Sequence, residues 1–494
     1  MAEVIYPDTF GWDTVFAMKL PVANLALAKL APSPIYTRQM PLSNQATGTL
    51  TWSLEKWEII GAPGGSDMSI SMAFGAASKF EQVGGTSPGS PKLDVAGFAC
   101  NVTFEAYFPE FSSRLIARTA SGESWAKVTF KHPPGFNASW ALIIETILSD
   151  WFTNDPEAVE LFSSEFMSLD MSDAIGQDHL KWLKPDQLGY AGGTLADGVT
   201  QAIGILALTV VGDGSQRRTI PPGARLQLSP YAIPAGASAG FQMSRELVMT
   251  NLFKPGVASA FSNDVNPDLT RFTLSEDGST LTNNVALSYK QEIEGVDRTC
   301  TIENGQLSAR LGGNRLVLNV SPLTVETSLP GLLVDAQIVE NLELSLKAIP
   351  GKADAKIFML ENVDAQAPVM NHHYTGTSVI SMAVIGALIA IVGLVLMVVS
   401  FTGPLARKLT ATSAKIVSRV IAAAVAGAGL LIATILVIIQ AAVPENLDEL
   451  PSIDPLLNMA IGRFNWPAGT TVRFAATSGS FANGILMAVE PKFD

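Results

Sequence analysis

The chain has 494 residues, a formal net charge of -13, 48% hydrophobic residues and 16% charged ones. That balance excludes a nucleic-acid binder, whose phosphate contacts need clustered Lys and Arg, and it excludes a chain disordered over most of its length. Cys100 and Cys300 fit no zinc or redox spacing, so two buried thiols are expected rather than a disulfide framework.

The N-terminal stretch "MAEVIYPDTFGWDTVFAM" carries acidic residues where a secretory signal needs a basic region followed by an apolar run. The expectation is therefore no signal peptide, and a protein that is cytoplasmic or released by a non-classical route, with or without membrane association. An early helix is predicted from Pro21 to Leu30, stopped by the breaker "APSP". Leu50, Trp52 and Leu54 then alternate with polar residues, and Trp57 and Ile59 shift that parity as a β-bulge would. The period-two pattern continues through Met68, Ile70, Met72 and Phe74. It is clearest from Ala96 to Phe108, where Phe98, Cys100, Val102, Phe104 and Phe108 share one face and Asn101, Thr103 and Glu105 the other.

Helical spacing replaces it at Trp140, Ile143, Ile144, Ile147, Leu148 and Trp151, and Asp155 with Pro156 predicts the cap and first turn of a second helix. Another helix is predicted from Ser244 to Phe253. Further strands are expected through Leu226 and Leu228, through Leu316, Leu318 and Val320, and through Leu342, Leu344 and Leu346. Phe98, Val102, Phe104, Phe108, Ile143 and Ile147 are the candidate lining of an apolar interior.

Catalytic candidates are weak. Gly85, Thr86, Ser87, Pro88 and Gly89 match the G-x-S-x-G elbow in letters, but Pro88 lacks the backbone N–H that would help hold an oxyanion. His372 and His373 have no metal-ligand partner at the right spacing, so no metal site is expected. No catalytic residue and no enzyme activity are expected.

Two long apolar runs stand near the C-terminus, Ser378 to Phe401 and Val420 to Val443. As helices each would reach about 35 Å, against about 30 Å of bilayer hydrocarbon. Gly403 and Pro404 predict a turn between them, and Arg407, Lys408, Lys415 and Arg419 make its tip basic, a candidate membrane-docking element. A helix apolar all round must be enclosed by protein or by lipid, and both enclosures stay open at this level.

Four segments in order, "FGWDTVFAMKLPVANLAL" (Phe10 to Leu27), "ALIIETILSDWF" (Ala141 to Phe152), "WLKPDQLGYA" (Trp182 to Ala191) and "IPAGASAGFQMSRELVMTNLF" (Ile233 to Phe253), resemble a known family. It comprises the forty-seven-kilodalton and OrfX accessory proteins of botulinum neurotoxin gene clusters, within the tubular lipid-binding (TULIP) superfamily. The resemblance implies an α+β fold, an elongated TULIP-type tube whose curved antiparallel sheets wrap long helices. It divides the chain into an N-terminal part, 1–265, and a C-terminal part, 266–494, that contains the 378–443 hairpin. It implies no cofactor other than a bound lipid, and as partners a lipid or membrane surface together with a toxin or another accessory protein. The reading adopted is a non-enzymatic lipid- or membrane-binding accessory protein of a bacterial toxin-type gene cluster. The alternatives are a membrane-inserting or pore-forming protein acting through the hairpin, and a lipid hydrolase using Ser87.

Overall fold

The structure is a computed structural model that describes residues 6–62, 64–84, 92–119, 124–163, 167–170, 178–211, 218–262, 268–293, 296–326, 333–349, 352–362, 369–372, 454–466 and 469–493. Ser87, His373 and the whole 378–443 segment, with Arg407, Lys408, Lys415 and Arg419, lie outside the described residues.

The dominant element is a 13-stranded sheet. Its strands run in the order Leu54–Gly61, Asp67–Phe74, Ala99–Tyr107, Arg114–Ala117, Met167–Asp170, Arg463–Asn465, Thr471–Phe481, Gly484–Phe493, Ala239–Ser244, Thr14–Lys19, Gln201–Thr209 and Pro185–Thr194, and Ala126–Lys131 also pairs with Ala99–Tyr107. Its ladders are antiparallel. The last-named strand comes back to the loop ahead of Asp67–Phe74, where Gly192 N–H donates to the carbonyl of Gly65 at 2.8 Å. The sheet therefore curls nearly onto itself.

A nine-stranded sheet occupies residues 272–372, and a four-stranded one is built from Tyr36–Ser43, Ala46–Trp52, Lys79–Gly84 and Lys92–Asp94. The chain passes from the small sheet to the large one at Ser53. Just beyond, Lys56 takes a φ of 48° and the register of Leu54–Gly61 against Asp67–Phe74 shifts between Glu55 and Glu58, which is the expected bulge. One hydrophobic cluster runs through the concave side and reaches into the nine-stranded sheet at Leu316, Leu318 and Val320.

A second cluster, with Trp12, Leu206 and Leu228, lies on the other side of the large sheet. Here the sequence reading needs correction, because Leu226 and Leu228 belong to no strand. Their segment covers Trp12, whose indole donates to the carbonyl of Arg225 at 2.9 Å, and Pro221, Pro222 and Pro230 deny it a continuous ladder.

The second correction concerns the long helices. Among the described residues the longest, α2 (Ala138–Asn154), has 17 residues, whereas α1 (Leu20–Leu27) and α3 (Pro156–Ser163) have 8 each. Side chains rather than helices fill most of the interior, because strands with one continuous apolar face bury it against one another once the sheet curls. None of the described helices is long and apolar enough to cross a membrane.

Candidate functional site

The deepest concentration of aromatic side chains lies where α2 and α3 cover the strands Leu54–Gly61, Asp67–Phe74, Ala99–Tyr107 and Ala126–Lys131. Asn137 caps α2 by accepting from the N–H groups of Ser139 (2.9 Å) and Trp140 (3.3 Å), and Asp155 accepts from Glu157 N–H at 2.9 Å as α3 begins with Pro156. The helical spacing then buries Ile144, Ile147, Leu148, Trp151 and Phe152 on one face. Glu145 holds α2 to the sheet through a 2.9 Å bond from Phe130 N–H, and an Arg38–Asp155 ion pair ties the α2–α3 junction to the small sheet.

Opposite α2, the strand Ala99–Tyr107 alternates as expected: Cys100, Val102, Phe104 and Ala106 are buried, while Asn101, Thr103 and Glu105 are partly exposed. On the outer face Ser69 and Thr103 hydroxyls lie 2.7 Å apart, Arg118 pairs with Glu105 at 3.0 Å, and its guanidinium stands 4.2 Å over the Tyr107 ring. All six candidate lining residues join the same cluster. Val102, Phe104, Phe108 and Ile147 are buried in it, and Phe98 and Ile143 pack against it half-buried.

Rings from several elements complete the cluster. Phe104 meets Phe162 of α3 at 5.3 Å and Trp125 at 6.4 Å, Trp151 meets Trp52 at 5.1 Å and Phe152 at 4.7 Å, and Phe98 meets Phe136 at 5.3 Å. Edge-to-face pairs of this kind add about 0.5–1.5 kcal/mol each beyond area burial. Trp125 and Phe162 were not singled out from sequence, and Trp52 and Trp151 were placed on elements but not in a site. Tryptophan density was the available signal, since five of the chain's 8 Trp (Trp52, Trp57, Trp125, Trp140 and Trp151) fall within one hundred residues.

The electrostatics of this region are those of a dry interior. Burial pushes the Cys100 thiol up, reinforced by the nearby Glu145 charge, so it stays protonated and unreactive. Burial likewise raises the Tyr36 phenol, against a hydrogen bond from Ser33 that lowers it. What converges here is a surface for apolar and aromatic contact. Among the described residues no group of His, Cys, Asp and Glu is arranged to hold a metal ion.

Asp13 accepts from the N–H (2.7 Å) and hydroxyl (3.0 Å) of Thr209 and from Arg218, and Phe241 is fully buried.

The fold is a curled antiparallel sheet filled from one side by apolar side chains and short helices. From residue 9 to 487 the chain matches the OrfX-like family, described as Protein OrfX2/OrfX3/P47, and it belongs to that family. It is similar to Protein OrfX3 of Clostridium botulinum (strain Kyoto / Type A2), with 22% identity over 517 residues that cover 98% of this chain and 99% of the relative. Its fold is similar to that of P47 of Clostridium botulinum E1, with a TM-score of 0.57 at 14% identity over 97% of this chain and 98% of the other. P47 from Clostridium botulinum A2 gives a TM-score of 0.55 at 16% identity over 79% and 89%.

Proposed function

We propose that the chain is a non-enzymatic accessory protein of a bacterial toxin-type gene cluster that binds lipid or a membrane surface. The observation that carries this reading is the aromatic cluster under α2. A continuous apolar and aromatic cluster lies against a sheet that comes back on itself at the Gly65–Gly192 bridge, under a helix pair tied down through Glu145 and Asp155. Acyl chains are chemically matched to such a lining, at about 25 cal/mol per Å² of apolar area removed from water. Membership of the OrfX-like family supports a toxin or another accessory protein as the macromolecular partner.

Mass spectrometry of lipids extracted from the purified protein tests the reading. A co-purifying acyl lipid, or its uptake from vesicles on incubation, is the expected result. A protein that carries none and takes none up is not a lipid binder. Washing membranes with carbonate at high pH separates this reading from insertion through 378–443, because a peripheral protein is released and an inserted one is retained.

A further inference from the structure

Between Asp13 and Glu55 the sequence contains no Asp or Glu, although the chain has 45 of them, and its basic residues there are Lys19, Lys29 and Arg38. This acid-free stretch includes α1, which packs along Leu54–Gly61, an edge strand of the large sheet. Asn24, the one polar residue of α1, donates to the carbonyl of Ile59 at 3.0 Å and accepts from its N–H at 2.8 Å. Ser33 treats Leu54 in the same way: its N–H donates to the carbonyl at 2.9 Å, and its hydroxyl accepts from the N–H at 2.8 Å. The backbone edge is thereby blunted at two points.

With its polar group used like this, α1 is apolar on both sides. Leu20, Ala23, Ala26 and Leu27 are buried, whereas Pro21, Leu25 and Ala28 recur at helical spacing and are exposed. Leu25 is 57% exposed, Ile35 just past Ser33 is 64%, and Ile60, adjoining the Asn24 anchor, is 42%. Beyond Ile60, Ala62 N–H donates to Gln201 Oε1 at 2.9 Å. Two residues before Gln201 stands Val199, 82% exposed, in a turn held by Asp197, which accepts from the N–H groups of Val199 (3.0 Å) and Thr200 (2.8 Å). Four large apolar side chains thus stand in solvent on segments tied to one another at one rim, and exposed apolar patches mark interaction sites.

The charges around this rim favour one kind of partner. Arg38 is paired with Asp155. Of the nearby acids, Asp197 is engaged by its own turn, Glu490 accepts from Ser238 N–H, and the Glu55 carboxylate lies beside Gly75, which leaves Glu58 against Lys19, Lys29 and Lys56. The rim is therefore apolar and locally basic in a chain of net charge -13. A second copy would set lysine against lysine and add one acidic chain to another. Anionic headgroups over hydrocarbon match both features.

We infer that the rim formed by α1, Ile35, Ile60 and Val199 is the face with which the protein docks onto an anionic phospholipid bilayer. This rests on the lipid-binding reading above and names the part of the chain that meets the membrane. At 8 residues α1 is too short to span, so it lies in the interface with Leu25 towards the acyl chains.

The test uses the full chain and two sets of vesicles, phosphatidylcholine alone and phosphatidylcholine mixed with phosphatidylserine. Flotation with the mixed vesicles is expected, and less with phosphatidylcholine alone. Leu25→Asp, Ile35→Asp or Val199→Asp should each weaken binding about tenfold or more, and Lys29→Glu about fivefold or more. Val285→Asp is the control, because Val285 is also 42% exposed but lies in the nine-stranded sheet region, and it should bind as the parent does. A second readout does not depend on lost binding. Cys100 and Cys300 are buried, so an environment-sensitive dye can be placed selectively on Leu25→Cys, Val199→Cys or Val285→Cys. Vesicles should shift the first two dyes to the blue and leave the third unchanged. Binding that is insensitive to the rim substitutions, with rim dyes that stay in water, overturns the docking face and leaves the lipid reading standing. Self-association of the free protein that Leu25→Asp abolishes assigns the face to a second copy and overturns the inference. Failure to bind either set of vesicles also overturns it, and the lipid extraction described above then decides the lipid reading separately.

Discussion

Glu340 stands directly opposite Leu318 in the ladder between Leu333–Ile349 and Arg315–Glu326, on the face that also buries Leu342 and Leu344. Its side chain is 2% exposed, its Oε2 has no hydrogen-bond partner, and burial raises its pKa to about 7 from an ordinary 4.5. Since the folded value lies above the unfolded one, the folded chain keeps a proton that the unfolded chain has already released. Stability from this group is full below about pH 4.5 and is lost as pH rises through about 7, an effect on the order of 3 kcal/mol. Glu340→Gln should therefore stabilise the protein at pH 8 and change little at pH 4.5. Urea unfolding of both proteins across that range checks it, and a difference that does not vary with pH would show that the carboxyl is not buried in the folded state.

Phe104→Asp and Thr103→Asp place the same charge one residue apart on opposite faces. Phe104 is 3% exposed and packed against Phe162 and Trp125, so aspartate there should cost on the order of 4 kcal/mol or more and abolish the cooperative fold. Thr103 is partly exposed and loses its contact with Ser69, a cost of about 1 kcal/mol. Equal tolerance of the two, measured by thermal melting, would refute the assigned faces of this strand.

Gly192 sits at the seam where the large sheet comes back on itself. A Cβ there would lie 2.7 Å from the carbonyl oxygen of Ala62 and 2.8 Å from its Cβ. Gly192→Ala should push the loop ahead of Asp67–Phe74 away and cost about 1–3 kcal/mol. Hydrogen exchange in peptides spanning Pro185–Thr194 should quicken while Ala99–Tyr107 stays protected. Unaltered exchange at the seam would mean that the bridge does not close the sheet.

Asp13 joins three donors from segments distant in sequence, so Asp13→Ala strands both Arg218 and the Thr209 N–H. The site is partly exposed, and a loss of about 2–3 kcal/mol is expected. A double-mutant cycle with Arg218→Ala should return a coupling of about 1 kcal/mol. Additive single losses would show that the two side chains do not act together.

Local patterns were legible wherever one face of an element is buried and the other is not. Cys100 to Phe108, the α2 face from Ile144 to Trp151, the Asp155–Pro156 helix start and the bulge after Leu54 could all be read because alternation, helical spacing and capping are local physics. Pairing between distant strands was not legible, because nothing in Ala239–Ser244 specifies Gly484–Phe493 as its neighbour. Leu226 and Leu228 misled because a segment lying over Trp12 can alternate without belonging to a ladder. The candidate lining was half readable. Its aliphatic and Phe residues declared themselves by period, whereas Trp52, Trp125 and Trp151 enter one aromatic cluster only through tertiary structure.

In the large sheet, the strands Arg463–Asn465, Thr471–Phe481 and Gly484–Phe493 stand between Ala239–Ser244 on one side and Met167–Asp170 on the other. Ala239 pairs with Val489, about 250 residues later. On a ribosome adding roughly 5–20 residues per second, the edge bearing Phe241 and Met243 has to wait roughly 10–50 s for its neighbour. During that interval the nascent chain presents an apolar strand with one row of unmet backbone groups, a template for pairing with another copy of itself. The yield of this protein should therefore depend on how quickly its final strands are made, and on what shields Ala239–Ser244 until then.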